Sequence, residues 1–423
     1  MNIPASPPWA PGSKTGFSER HGLNLDPIPL DPYRTQAFFE LERDRVFKRA
    51  WLLMCRVEEL PNPGDYVVKQ IDPCKVSALI CRGKDGKIRA FHNSCSHRGS
   101  EVVGTPQGNR ARFVCPYHSW AYGTDGALQN IPDEPSFFKV DKAKCGLSPI
   151  ALDIWDGWIF LNLQPQPEVT LQEYLGPLAD HLKGFTYLAA GTPIVIIANL
   201  DANWKVVADA FIESYHIPTI HAKTIGTTFA SKENPHARLL DAKLLGPHRA
   251  VSMYGNPEFA LNPDNKVEVL AYSAVATGSV IAAAATKEVE GFLSHPAVNP
   301  TRCKSWSMDV NHVFPHIQID SGPGGFWYHQ FWPTSPNTCR YEVRFYTPEA
   351  VNARQRLQQE LYVARVVEVV LEDLSNVART QRGIDSGGKQ YMQIQDSEIG
   401  IRHSVQQLIK WTKADSVKEA LAR

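Results

Sequence analysis

Cys95-Ser96-His97-Arg98-Gly99 and Cys115-Pro116-Tyr117-His118-Ser119-Trp120 decide how the rest of this 423-residue chain is read. Each stretch offers one thiolate and one imidazole. Two loops of this kind clamp two adjacent metal ions, one taking both sulfurs and the other both nitrogens. That is the ligand set of a [2Fe–2S] centre in which two His replace two Cys on one iron. The competing readings are buried cysteines with incidental His neighbours, and a tetrahedral Cys2His2 zinc site. Zinc fingers group like ligands as Cys-x2-4-Cys and His-x3-5-His. Here each pair is mixed and the first has a single spacer, so the iron–sulfur reading is preferred.

Composition sets the frame. Hydrophobic content of 43% with 21% charged residues describes an ordinary globular chain, long enough for two domains. Lys plus Arg (44) balances Asp plus Glu (44), leaving no basic excess for nucleic acid. Of the eight cysteines only Cys95 and Cys115 sit in a motif; this is no disulfide framework, and a thiolate-ligated cluster favours a reducing compartment. Residues 1–14 lack the pattern of a secretory signal, and the apolar run Val280–Ala285 is too short to span a bilayer. A cytoplasmic protein without a membrane partner is expected.

Along the chain, residues 1–15 read as a Pro-rich arm and 37–51 as a helix. Short strands with frequent turn signals, such as Lys84-Asp85-Gly86-Lys87, continue to about Leu163. Residues 46–165 are therefore assigned to a small all-β domain, 1–45 to an arm and helix packing with the remainder, and 166–423 to a larger domain beginning after Pro165-Gln166-Pro167. There, helices are predicted over 171–183, 204–216, 353–382 and 405–413, and strands over 194–200, 267–275, 308–319, 325–333 and 339–346. Strands followed by helices without βα alternation make the chain α+β.

The second constellation is Asp209-Ala210-Phe211-Ile212-Glu213-Ser214-Tyr215-His216-Ile217-Pro218-Thr219-Ile220-His221. His216 and His221 cannot share one face of a straight helix. Pro218 disfavours the α region for Ile217, so the helix is expected to break there and let the second His swing back. A Rieske-type cluster passes single electrons and needs an acceptor; a non-haem iron held by two His and one carboxylate is a natural one. Asp209, Glu213, Glu368, Glu372 and Asp373 all qualify as the carboxylate, and spacing does not choose among them. Glu213 is also placed to bond a His from outside the metal.

Taken together, Cys95-x-His97-x17-Cys115-x2-His118 and Glu213-x2-His216-x4-His221 resemble the α subunit of Rieske non-haem iron oxygenases, the aromatic-ring-hydroxylating dioxygenase family. The resemblance runs from Val46-Phe47-Lys48-Arg49-Ala50-Trp51 to Glu372-Asp373. It implies a small all-β Rieske domain and a catalytic domain with an antiparallel sheet around a long C-terminal helix, helix-grip-like. It implies a [2Fe–2S] cluster on Cys95, His97, Cys115 and His118, and a mononuclear Fe(2+) on His216, His221 and Asp373; Asp209 is a further catalytic candidate. It further implies a head-to-tail homotrimer, or an α3β3 assembly, in which Glu213 bridges His216 to His118 of a neighbouring subunit. Many ring-hydroxylating members carry Asp where Glu213 stands; Glu is found in members resembling quaternary-amine monooxygenases. Ser119 replaces a common Gly.

The activity so implied is hydroxylation of an apolar or aromatic small molecule, using O2 and electrons from NAD(P)H through a reductase, with or without a ferredoxin. The first alternative is a monooxygenase or N-/O-demethylase acting on an amine or methoxy substrate, and the second a non-enzymatic Rieske electron carrier. Phe211, Ile217, Ile220, Phe314, Ile317, Trp327 and Phe331 are candidate pocket residues.

Overall fold

The computed structural model describes residues 16–422 apart from 186, 188–189, 262, 265, 273–286, 323–324 and 348. The Pro-rich arm and the 280–285 run lie outside the described residues. Two compact units divide the chain: one holds 42–174 with 414–422, the other 16–41 with 175–413. Among the described residues, no helix is long and apolar enough to cross a membrane. All eight cysteines are free of disulfides.

In the larger unit a short strand β1 (Ile28–Pro29) pairs with Tyr391–Met392 near the end of the chain. The smaller unit is all-β. Its main sheet runs β2 (Leu52–Arg56), β11 (Trp158–Asn162), β10 (Pro149–Trp155), β5 (Ile88–His92), β4 (Val76–Arg82), β3 (Asp65–Ile71), β6 (Gln107–Asn109), every pair antiparallel. A second sheet comprises β7 (Arg112–Val114), β8 (Ala121–Gly123) and β9 (Leu128–Asn130). The predicted hairpin turn joins β4 to β5, with Gly86 at φ 79°, where a side chain would be strained. One apolar core holds Tyr66, Leu79, Phe91, Phe113 and Tyr122 together with Cys95 and Cys115. The last residues are strapped to this unit: Glu168 accepts the Val417 amide at 2.7 Å, and Arg49 donates to the Ala414 carbonyl at 3.1 Å.

The larger unit carries an antiparallel sheet ordered β12 (Ala190–Leu200), β18 (Thr338–Thr347), β17 (Gly325–Ser335), β16 (Ile317–Gly322), β15 (Trp306–Val313), β14 (His248–Tyr254), β13 (Asp241–Leu245). A 33-residue helix, Ala353–Asp385, about 50 Å long, packs against its edge and against helix Trp204–Asp209. Asn352 starts it by accepting the Gln355 amide at 2.9 Å. Its buried positions, Tyr362, Val363, Val370, Asp373, Val377 and Gln381, recur at helical spacing along one stripe.

Four sequence expectations are corrected. Residues 266–272 are helical, not a strand; packing on the long helix overrides the alternation of Val and Glu. The 308–319 strand divides into β15 and β16 around a turn at 314–316. The 171–183 helix splits at Gly176, which leaves the helical region (φ 46°, ψ −125°) ahead of Pro177. The 204–216 helix ends at Asp209, and beyond it the Glu213 carboxylate takes the amides of Tyr215 and His216. Ile217 is helical: it opens a one-turn helix, Ile217–Ile220, with Pro218 at an early position where its missing N–H costs nothing.

Candidate functional site

The two Cys/His loops are built alike. Cys95 N–H donates to Ser100 O and Gly99 N–H to Cys95 O, both at 2.8 Å; Cys115 N–H donates to Trp120 O at 2.9 Å and Ser119 N–H to Cys115 O at 3.0 Å. Gly99 (φ 75°) and Ser119 (φ 60°) both lie in the left-handed region that closes such turns, so Ser119 performs the glycine's task at a cost of about 1 kcal/mol. Asn93, buried, pins the first loop by accepting the amides of Val102 and Val103 at 3.0 and 2.9 Å.

Both cysteines are buried, and the His97 and His118 rings meet edge to face at 4.5 Å. His97 stacks on Trp120 at 5.1 Å, and its buried Nδ1 has no hydrogen-bond partner. An unpaired nitrogen in a dry loop is costly unless it serves as a ligand, so these residues fit a [2Fe–2S] group. Tyr122 lies at 3.2 Å from Cys95 Sγ and accepts the Ser96 amide at 3.0 Å. The loop motif gives no sign of this tyrosine, which comes from β8.

The second site joins the 216–221 turn to the long helix. Asp373 Oδ1 lies 2.9 Å from His221 Nε2 and 3.2 Å from His216 Nε2, and the two nitrogens are 3.1 Å apart. Three donors each about 2.1 Å from one ion sit about 3.0 Å apart at right angles and about 3.4 Å apart at tetrahedral angles. The triangle therefore matches one face of an octahedron, the face of a two-His, one-carboxylate iron with open positions opposite.

The outer nitrogens carry the same message. His221 Nδ1 meets Glu372 at 2.7 Å, and His216 Nδ1 bonds Glu213. With Nδ1–H given to a carboxylate, each Nε2 turns a lone pair toward Asp373, an arrangement only a cation relieves. Burial alone would lower the His216 pKa, but the Asp373 and Glu213 carboxylates raise it to about 10; His221 is raised by Asp373 and Glu372 against the same burial. Asp373 is pulled the other way, held below the usual range by the two imidazoles although burial opposes this. A divalent ion displaces those protons.

Of the five carboxylates open in the sequence, only Asp373 joins both imidazoles. Glu368 is solvent-exposed and pairs with Arg365 at 2.9 Å. Glu213 and Glu372 stand outside the triangle, and Thr224 donates to Glu372 at 2.5 Å. Asp209 accepts from Tyr33 at 2.7 Å, and burial lifts its pKa to about 7. A cavity of about 170 Å³ is lined by Asp209, Glu213, His216, Ile220, Asp373 and Thr380, among others. A signal for Asp373 was present in the sequence: it falls three residues after Val370 and four before Val377, an acid on the apolar stripe. Of the pocket candidates, Ile220 reaches that cavity and Ile217 is buried close by in a core with Val251 and Ile399. Phe211 and Phe331 pack on Tyr341. Phe314 instead packs on Trp411, Trp327 on Tyr362, and Ile317 is fully buried in the sheet.

Residues 180–414 match the catalytic domain of the ring hydroxylating alpha subunit, and residues 50–145 the Rieske [2Fe-2S] domain. The large oxygenase component of a naphthalene 1,2-dioxygenase system from Pseudomonas putida is 32% identical over 224 residues, 50% of this chain and 46% of that protein. The oxygenase subunit of glycine betaine monooxygenase from Pseudomonas aeruginosa is 32% identical over 210 residues, 50% and 47% of the two chains. The matched part thus spans about half the length of these relatives. In fold, the chain is similar to naphthalene 1,2-dioxygenase from Rhodococcus sp. (TM-score 0.73, 21% identity, 92% of this chain and 95% of the other). It is similar too to the quaternary ammonium Rieske monooxygenase CntA with L-carnitine (TM-score 0.68, 19% identity, 95% and 100%).

Proposed function

We propose, because the chain belongs to the ring-hydroxylating α-subunit family and carries its Rieske [2Fe–2S] domain, that it is the terminal oxygenase of a multicomponent system. It takes electrons from a separate reductase and uses O2 to hydroxylate an apolar or aromatic small molecule. The observation that carries this reading is the triangle of about 3 Å edges on His216, His221 and Asp373, with a carboxylate behind each imidazole.

The two groups supply single-electron transfer and O2 activation when bound. The protein's own work is orientation. Glu213 and Glu372 fix the imidazole tautomers, Thr224 fixes Glu372, and Ile220 on the cavity wall keeps the surroundings apolar. His118 is exposed, with its ring against Tyr117 at 3.8 Å. An exposed cluster ligand suits a homotrimer in which Glu213 of an adjacent copy bonds its outer nitrogen. Glu213→Ala should then cut turnover about 100-fold or more with both metal sites loaded; full activity in intact trimers would sink the bridge.

Relatives named for naphthalene and for glycine betaine match at equal identity, so substrate class rests on the site itself. Phe211 and Tyr341 stack at 5.7 Å and Phe331 packs tilted on both at 5.8 Å, whereas a quaternary ammonium cage holds its rings apart around the cation. This favours the apolar or aromatic substrate over the amine. An electron carrier would leave the triangle without a task. The test is oxygen uptake with a generic reductase and ferredoxin over aromatic and amine panels. Uptake coupled to a hydroxylated aromatic product is expected; uptake with amines alone selects the other reading, and none from fully metallated protein overturns both.

A further inference from the structure

One polar row crosses the inner face of the catalytic sheet. Arg249 on β14 is directly opposite His312 on β15, His312 opposite Gln318 on β16, and Gln318 opposite His329 on β17. Directly opposed residues share a face, and all four are 2% exposed. With strands about 4.8 Å apart, the row spans about 14 Å. Phe211, just beyond helix Trp204–Asp209, covers its His329 end with a ring contact of 4.7 Å.

The two ends differ in how their polar groups are satisfied. At the His329 end, Nδ1 meets Tyr341 Oη at 2.6 Å and Nε2 meets Asp320 Oδ2 at 2.9 Å, while Gln318 Nε2 donates to both Asp320 oxygens at 3.2–3.3 Å. Those donations fix the Gln318 amide, because a flipped amide would set oxygen against carboxylate. At the Arg249 end, Nη1 and Nη2 have no hydrogen-bond partner among the described residues, and neither do His312 Nδ1 and Gln318 Oε1. Unpaired groups this deep are the exception in folded proteins, and four lie on three neighbouring strands here.

Among the described residues, the guanidinium has no ion-pair partner within 4 Å. The carboxylate whose charge bears on Arg249 is Asp209, which is committed to Tyr33 and is itself half-protonated near neutral pH. Burial, with Arg249 as a repelling neighbour, holds His312 neutral and pushes His403 down to about 3. The site thus offers one positive charge on a planar fork, which matches one planar monoanion rather than a phosphate dianion.

We propose that the Arg249 end of this row anchors a carboxylate-bearing small molecule, with the guanidinium taking the carboxylate through Nη1 and Nη2. Calling that molecule the substrate rests on the oxygenase reading: Asp209, whose charge bears on Arg249, lines the same cavity as His216 and Asp373. An acid held at Arg249 would extend its remainder toward that cavity. The substrate is then an organic acid with an apolar body, not a hydrocarbon.

Equilibrium binding to the metallated full chain, without reductase and without oxygen, tests this directly. The probes are benzoate, phenylacetate and hexanoate, each paired with its primary amide. At least one acid should bind about fivefold or more tighter than its amide, and Arg249→Met should erase that preference. Arg249→Lys keeps the charge without the fork and should restore only part of it. Preferences all below fivefold in the wild-type chain overturn the proposal, whether or not the variants fold; so does a preference that survives Arg249→Met. Acid binding without oxygen uptake would instead count against the oxygenase reading alone.

Discussion

The two metal centres of this chain solve one problem, holding imidazoles at a metal, in opposite ways. In the small unit each loop closes on its own backbone, and the rings are steadied by aromatic neighbours: Trp120 stacks on His97, Tyr117 on His118, and no carboxylate touches either imidazole among the described residues. In the large unit both imidazoles are gripped by acids at each end, Glu213 or Glu372 outside and Asp373 inside. On the proposed function, a cluster relaying electrons keeps one ligand exposed for a partner, whereas a centre that must keep open positions needs its ligands locked by charge. The first arrangement is local in sequence; the second joins residues some 150 positions apart.

The sharpest way to break the comparison is to remove one ligand from each site. Cys115→Ser should abolish the cluster absorption and turnover yet keep the mononuclear ion. Asp373→Ala should keep the absorption and lose that ion, with turnover falling about 1,000-fold or more. Loss of both sites in either variant would mean that they are not independent. A milder change sharpens it: Glu372→Gln, leaving all three ligands in place, should weaken iron binding about 10- to 100-fold in a chelator titration, and an unchanged affinity would deny the acid its role.

Asp209 supplies a stability contrast. Its folded pKa of about 7 lies above the usual 3.8, so its contribution to folding is fully present below about pH 3.8 and is lost as pH rises to about 7. Asp209→Asn should therefore be the more stable protein at pH 8, by an amount on the order of 2–4 kcal/mol less the altered Tyr33 bond, with the gap closing toward pH 4. Denaturant unfolding at the two pH values reads this, and a pH-independent difference would contradict it. The smallest effect is expected in the cluster loops: Ser119→Gly should stabilise by about 0.5–1 kcal/mol and Gly99→Ser destabilise by about 1 kcal/mol, measured by the thermal midpoint.

The same contrast explains what was legible in the sequence. The proposed cluster ligands stood out because each loop is a few residues long and brings two donors of a rare type. His216 and His221 could be read as a pair, but not the route by which they meet: the helix has already ended at Asp209, well before Pro218. Asp373 was one of five acids until its place on the Val370–Val377 stripe distinguished it. Tyr122, the Glu372 contact to His221 and the Arg249 row depend on strand pairing and helix packing across long separations, which no local pattern encodes. Strands β13 and β14, which carry Arg249, went unread for want of a clean alternation, since both faces of β14 are buried.

Metal content by site tests the central claim most directly, namely that one chain holds two independently built iron centres. Iron analysis with the visible spectrum should give three irons per wild-type chain, two with an intact cluster spectrum in Asp373→Ala, and one without it in Cys115→Ser. Zinc in place of iron, or two irons in the wild-type chain, would contradict the account.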